Sequence, residues 1–166
     1  MYDAEQTWRS MRARCNGKET RTYKDCKICD EWNDDFDSFV DWFFDNIYVC
    51  RDEKLELDKD LFSAEGKQYS PETCCFLPKR INVALAYKKE KSNGLPCGVS
   101  MASNGKFVAM IHRGSGHLCK TFNTAEAASE FYKINKERHI RELALFYKNY
   151  LPDRIFEALM NYECKQ

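Results

Sequence analysis

The sequence predicts an α+β chain in two parts. The first is a helical region enclosing two short strands and a helix. The second is a three-stranded antiparallel sheet packed on one long helix. Three observations predict this. Apolar residues recur at spacings of three and four near both ends of the chain, the period of amphipathic helices. Between residues 98 and 122, short alternating runs are separated by Ser103-Asn104-Gly105 and Gly114-Ser115-Gly116, which are hairpin signals. Charge is divided unevenly: residues 1–78 hold 11 Lys+Arg against 18 Asp+Glu, and residues 79–166 hold 15 against 8. A net charge of zero thus hides an acidic half and a basic half, which fits two parts facing different partners.

Residues 3–14 read as a helix, with Asp3 as its N-cap, Trp8, Met11 and Arg12 at helical spacing, and Cys15-Asn16-Gly17 as its stop. A polar segment follows to Lys24. After Cys26-Lys27-Ile28-Cys29, spacings of three and four among Trp32, Phe36, Phe39, Trp42, Phe43 and Phe44 predict a helix from about Asp35 to Asn46 that buries an aromatic face. Asp34, Asp37, Asp41 and Asp45 line its other side. Leu55–Asp58 alternates like a strand, and Thr73–Leu77 forms a second one after a loop containing Gly66. Pro78 then opens a helix to about Lys89, because a first turn tolerates proline. The polar segment 88–94 is the natural boundary, dividing the chain into residues 1–90 and 91–166.

Beyond it come the runs Gly98–Met101, Lys106–Arg113 and Leu118–Phe122. Thr124 caps a long helix on which Ala127, Ala128, Phe131, Ile134, Ile140, Leu143, Ala144 and Tyr147 fall largely on one face. Leu151-Pro152-Asp153 breaks it, and a last amphipathic helix carries Ile155, Leu159 and Tyr162.

Composition narrows the classes. With 43% hydrophobic and 14% aromatic residues, the chain can build a packed core. It has no run of about 18 apolar residues, so no membrane partner is expected. The N-terminus MYDAEQTWRSMRARC is charged throughout and lacks a signal-peptide core, so the expected location is the cytoplasm. Nine cysteines are then expected to be mostly reduced and packed as small hydrophobes. Cys26-x-x-Cys29 has the spacing of half a zinc site, so a structural zinc is the competing expectation. The 12 acidic residues from Asp30 to Asp60 read as a solvated face around an aromatic core, or as a surface for a basic protein partner.

A B-DNA major groove about 12 Å wide admits a β-ribbon, so the free face of the C-terminal sheet is a candidate surface for double-stranded DNA. Lys106, His112, Arg113 and Lys120 stand on or beside the three strands. Arg113 is the first candidate for a base contact, since a guanidinium can bridge guanine O6 and N7. Gly98-Val99-Ser100, Gly105-Lys106, Ala109, Phe122-Asn123-Thr124, Glu126-Ala127-Ala128 and Tyr132 resemble the apetala-two (plant ethylene-response-factor) DNA-binding domain, in the form also found in bacteriophage homing endonucleases. The resemblance covers about fifty residues. The family often has Leu-Gly where Cys119-Lys120 stand, and more arginines on the strands.

Leu57-Asp58-Lys59-Asp60, Tyr69–Phe76 and Ile81-Asn82 resemble the HNH ββα-metal module of phage endonucleases. That resemblance implies a divalent cation, Mg²⁺ or Mn²⁺, held by Asp58 and Asn82, with a first-strand histidine activating water. Lys59 occupies the histidine position and Thr73 that of the central asparagine. Lysine is a poor general base unless burial depresses it, but it can act as a point charge. The catalytic candidates are therefore Asp58, Lys59 and Asn82 in a degenerate module. The expected function is a DNA-binding protein of the phage HNH homing-endonuclease type, with weak or lost cleavage. The alternative is a non-catalytic phage effector of the anti-defence type, which inhibits a host protein through its acidic half.

Overall fold

The computed structural model describes residues 3–16, 26–51, 53–63, 67–86, 94–114 and 116–164. The chain divides into two compact units, Met1–Lys79 and Arg80–Gln166. The division expected at 90/91 falls within residues 87–93, which lie outside the described residues, as do the loop around Gly66 and most of the polar segment ending at Lys24.

In the first unit, helix α1 (Ala4–Cys15) starts where the Asp3 carboxylate accepts the Gln6 N–H at 3.0 Å and ends at Asn16. Trp8 Nε1 donates to the Trp32 carbonyl at 2.8 Å. Strand β1 (Lys27–Ile28) follows, then helices α2 (Asp30–Asp34) and α3 (Phe36–Asn46). Asp35 caps α3, accepting the N–H groups of Asp37 and Ser38. Helix α2 was not expected, since five residues are too few to display a helical period. Most of the aromatic face is buried as the spacing predicts, but Phe44, one position beyond Phe43 and so turned off the packed stripe, is 63% exposed. Trp32 packs against Phe39 and Trp42 at ring-centre distances of 5.1 and 4.7 Å, and Phe43 meets Phe76 edge-on at 5.1 Å.

Strand β2 (Leu55–Asp58) pairs antiparallel with β4 (Cys75–Pro78), while β3 (Gln68–Tyr69) runs parallel to β1. Helix α4 (Lys79–Leu85) follows β4 directly, completing the expected strand–strand–helix order. Pro78 closes the strand rather than opening the helix. It sits opposite Leu55, and the ladder continues when Lys79 N–H donates to the Lys54 carbonyl at 3.3 Å.

The second unit has one antiparallel sheet in the order β5-β6-β7, from β5 (Val99–Met101), β6 (Phe107–Arg113) and β7 (Gly116–Phe122). Gly105 and Gly114, at φ of 77° and 67°, make the two reversals, a conformation that glycine adopts without Cβ strain. Helix α5 (Ala125–Phe146) begins at Thr124, whose hydroxyl accepts the Ala127 N–H at 3.2 Å. It packs across the sheet and closes a core of Val99, Ala109 and Ala128 flanked by Phe107, Phe122, Phe131 and Tyr132. Helix α6 (Asp153–Met160) returns after Pro152, tied to α5 where Arg141 Nε donates to the Met160 carbonyl at 3.0 Å. Among the described residues, no helix is long and apolar enough to cross a membrane.

Candidate functional site

Strand alternation decides which side chains of the second unit face outward. Ala109 and Ile111 are buried toward α5, whereas Met110 and His112 between them are exposed. The pairs Val108↔Thr121, Met110↔Cys119 and His112↔His117 therefore form the outer face, with Ser100 beside Val108. His112 and His117 meet Nδ1 to Nδ1 at 3.0 Å, with rings nearly perpendicular at 87°.

The four expected DNA-contacting residues separate along this alternation. His112 is on the outer face. Lys106 is exposed in the β5–β6 turn, its N–H held by Asn104 Oδ1 at 3.1 Å. Arg113, one residue out of phase with His112, turns toward α5, where its Nη2 meets Glu142 Oε2 at 3.0 Å. His139 is 3.9 Å from the same carboxylate, and burial lowers its pKa. Lys120 stands opposite Ala109, and its ammonium lies 5.3 Å from the Phe131 ring and 5.5 Å from that of Phe122. The groove argument drew attention to basic residues. The phase of the outer face singles out His117, Cys119 and Thr121 instead. The signal for them was the glycine reversal at Gly114, which fixes each cross-strand partner.

In the first unit, Asp58 ends β2 and is 6% exposed. Its Oδ1 accepts the N–H groups of Asp60 at 3.1 Å and Leu61 at 2.8 Å, closing a side-chain turn. Burial pushes its carboxyl up to about 6, against the opposing pull of those hydrogen bonds. Lys59 is buried too, with Nζ on Asp60 Oδ1 at 2.7 Å and 5.7 Å from the Tyr69 ring. Thr73 Oγ1 donates to the Gln68 carbonyl at 2.8 Å and accepts the Ser70 N–H at 3.1 Å, so it secures its own turn. Asn82 is on α4, in the part of the chain belonging to the second unit. Of the Asp58 carboxylate, Oδ1 is committed to two backbone donors, and the ammonium group of Lys59 follows in sequence.

All nine cysteines are free. Cys26 is buried and hydrogen-bonds to Cys15, which burial pushes up to about 12, while Cys29 is only partly covered and caps α2. Among the described residues, no group of three or more His, Cys, Asp or Glu side chains is placed to hold a metal ion. Cys74 is likewise pushed up to about 12 by burial, and Cys119 alone is exposed among the nine. Because the thiolate is the reactive form, a disulfide reagent should titrate one fast thiol in the native protein, and Cys119→Ser should abolish that phase. A fast phase surviving in the variant would contradict the burial described. No protein-family model, curated protein or solved structure matches the chain.

Proposed function

We propose that the chain binds double-stranded DNA through the outer face of the β5-β6-β7 sheet, and that the strand–strand–helix segment around Asp58 is a scaffold without hydrolytic activity. The observation that carries this reading is the open face of a three-stranded antiparallel sheet in a unit of residues 80–166 holding 14 Lys+Arg against 8 Asp+Glu. A groove presents hydrogen-bonding base edges and thymine methyl groups. The outer face offers Ser100, His112, His117 and Thr121 for the former, and Val108 and Met110 for the latter. Lys106, at the exposed turn, is placed as a phosphate contact. Arg113, engaged by Glu142, is a structural ion pair in the free protein rather than a waiting guanine reader.

The scaffold half of the proposal rests on the Asp58 turn and the Lys59–Asp60 pair. The test is duplex binding followed against salt. Counterion release should weaken the affinity by roughly tenfold or more between about 50 and 200 mM salt if several phosphates are contacted. Supercoiled plasmid should stay intact with Mg²⁺ or Mn²⁺. Nicking that disappears in Asp58→Ala would instead restore the nuclease reading. Absence of duplex affinity at low salt would leave the rival, an inhibitor docking its acidic half on a basic host protein.

A further inference from the structure

Two of the residues proposed to contact DNA on the outer face are also placed for a second chemistry. His112 and His117 are directly opposite one another, one pair in from the Arg113↔Gly116 pair that closes the β6–β7 hairpin. The Met110 N–H donates to the Gly98 carbonyl across the β5 side. The even-numbered residues of β6 thus direct their backbone groups away from β7, and His112↔His117 is a non-hydrogen-bonded pair, whose side chains approach most closely. A short reversal fixes the register, so both imidazoles are presented together. Both are exposed, and no carboxylate or cationic side chain occupies an opposed position in the outer-face ladder.

We propose that His112 and His117 form a chelating site for a divalent transition metal with cis nitrogen ligands, copper(II) and nickel(II) before zinc(II). The two Nδ1 atoms are 3.0 Å apart. With metal–nitrogen bonds of about 2.0–2.1 Å, that separation corresponds to a ligand angle of about 91–97° at the metal. This is the cis angle of a tetragonal or octahedral site, which suits copper(II) and nickel(II). A tetrahedral zinc would need the nitrogens about 3.3–3.4 Å apart. In the metal-free pair one ring donates a proton to the other. The metal replaces that hydrogen bond: the donor ring changes tautomer, its proton leaving Nδ1 as Nε2 takes one from solvent, so that each neutral imidazole offers the Nδ1 lone pair to the metal. Histidine χ2 is broad, so both exposed rings can turn their lone pairs to one point. Water fills the remaining positions. The next pair along the same face, Met110↔Cys119, lies about 7 Å away along the strands and is not a ligand of this site.

The test titrates Ni²⁺, Cu²⁺ and Zn²⁺ into the full chain carrying Cys119→Ser, which removes the exposed thiol. One equivalent of Ni²⁺ or Cu²⁺ is expected to bind, with two nitrogen ligands in the copper spectrum and an affinity that weakens as pH falls, because protons compete for the imidazole lone pairs. His112→Ala and His117→Ala should each lower the affinity at least about tenfold, because a chelate loses its second arm. His117→Gln, which keeps a polar side chain of similar reach, should do the same while leaving the circular-dichroism spectrum unchanged. Equal binding by the parent and the double variant His112→Ala/His117→Ala overturns the proposal. Tighter binding of Zn²⁺ than of Ni²⁺ overturns the cis geometry.

Discussion

Gly98→Ala is expected to destabilise the second unit by about 2–6 kcal/mol, the sum of two independent costs. Gly98 lies at φ +73°, where a side chain costs about 1–3 kcal/mol. A Cβ there would overlap the Tyr132 ring carbons Cδ2 and Cε2, so the ring must leave its seat against the Val99–Ala109–Ala128 core. Overpacking of that kind costs roughly another 1–3 kcal/mol. Tyr132 has little room to yield: its ring packs on that core and its hydroxyl accepts from Cys97 Sγ at 3.6 Å. Urea unfolding of the variant measures the effect. Tyr132→Ala in the same chain removes the clash but not the backbone strain, so the two changes should be less than additive. A loss below about 1 kcal/mol for Gly98→Ala would contradict the packing described.

The second large effect concerns Asp58 and the sign of its pH dependence. Its carboxyl is raised from 3.8 to about 6 on folding, chiefly by burial. Between those values the folded chain binds more protons than the unfolded one, so this group makes stability fall as pH rises from about 4 to 6. A shift of about two units corresponds to roughly 3 kcal/mol. Asp58→Asn retains an oxygen for the Asp60 and Leu61 N–H groups while removing the buried charge. The variant should therefore match the parent near pH 4 and exceed it near pH 7 by up to about 3 kcal/mol, read from urea unfolding at the two pH values. A variant that is less stable at pH 7 than at pH 4, relative to the parent, would show that the ionised carboxylate is a favourable partner. That is the behaviour expected of a metal ligand rather than a turn former.

Much of the fold was legible because its signals are local. Asp3, Asp35 and Thr124 are side-chain caps at helix starts, and the glycine reversals at 105 and 114 delimit the sheet. What was not legible depends on partners distant in sequence. The two-residue parallel pair Lys27–Ile28 with Gln68–Tyr69 spans about forty residues with no periodic signature. Pro78 could open a helix or end a strand by its own chemistry, and Leu55 decides between them. The candidate site shows the same divide. His112 could be named from the strand alone. That Arg113 is occupied follows only from Glu142, 29 residues on. Likewise, the Lys59 substitution is visible in the sequence, but its pairing with Asp60 and the closing of the Asp58 turn require coordinates.

The claim that the outer sheet face is the DNA surface is tested most directly by placing one negative charge on it. Thr121 is exposed on β7 of that face, opposite Val108, and Asn149 is exposed after α5. Fluorescence anisotropy with a labelled duplex at low salt should give an affinity at least about tenfold weaker for Thr121→Glu than for Asn149→Glu, since both change the net charge equally and only one opposes phosphates at the interface. Equal affinities for the two variants would contradict the account and move the DNA surface elsewhere on the chain.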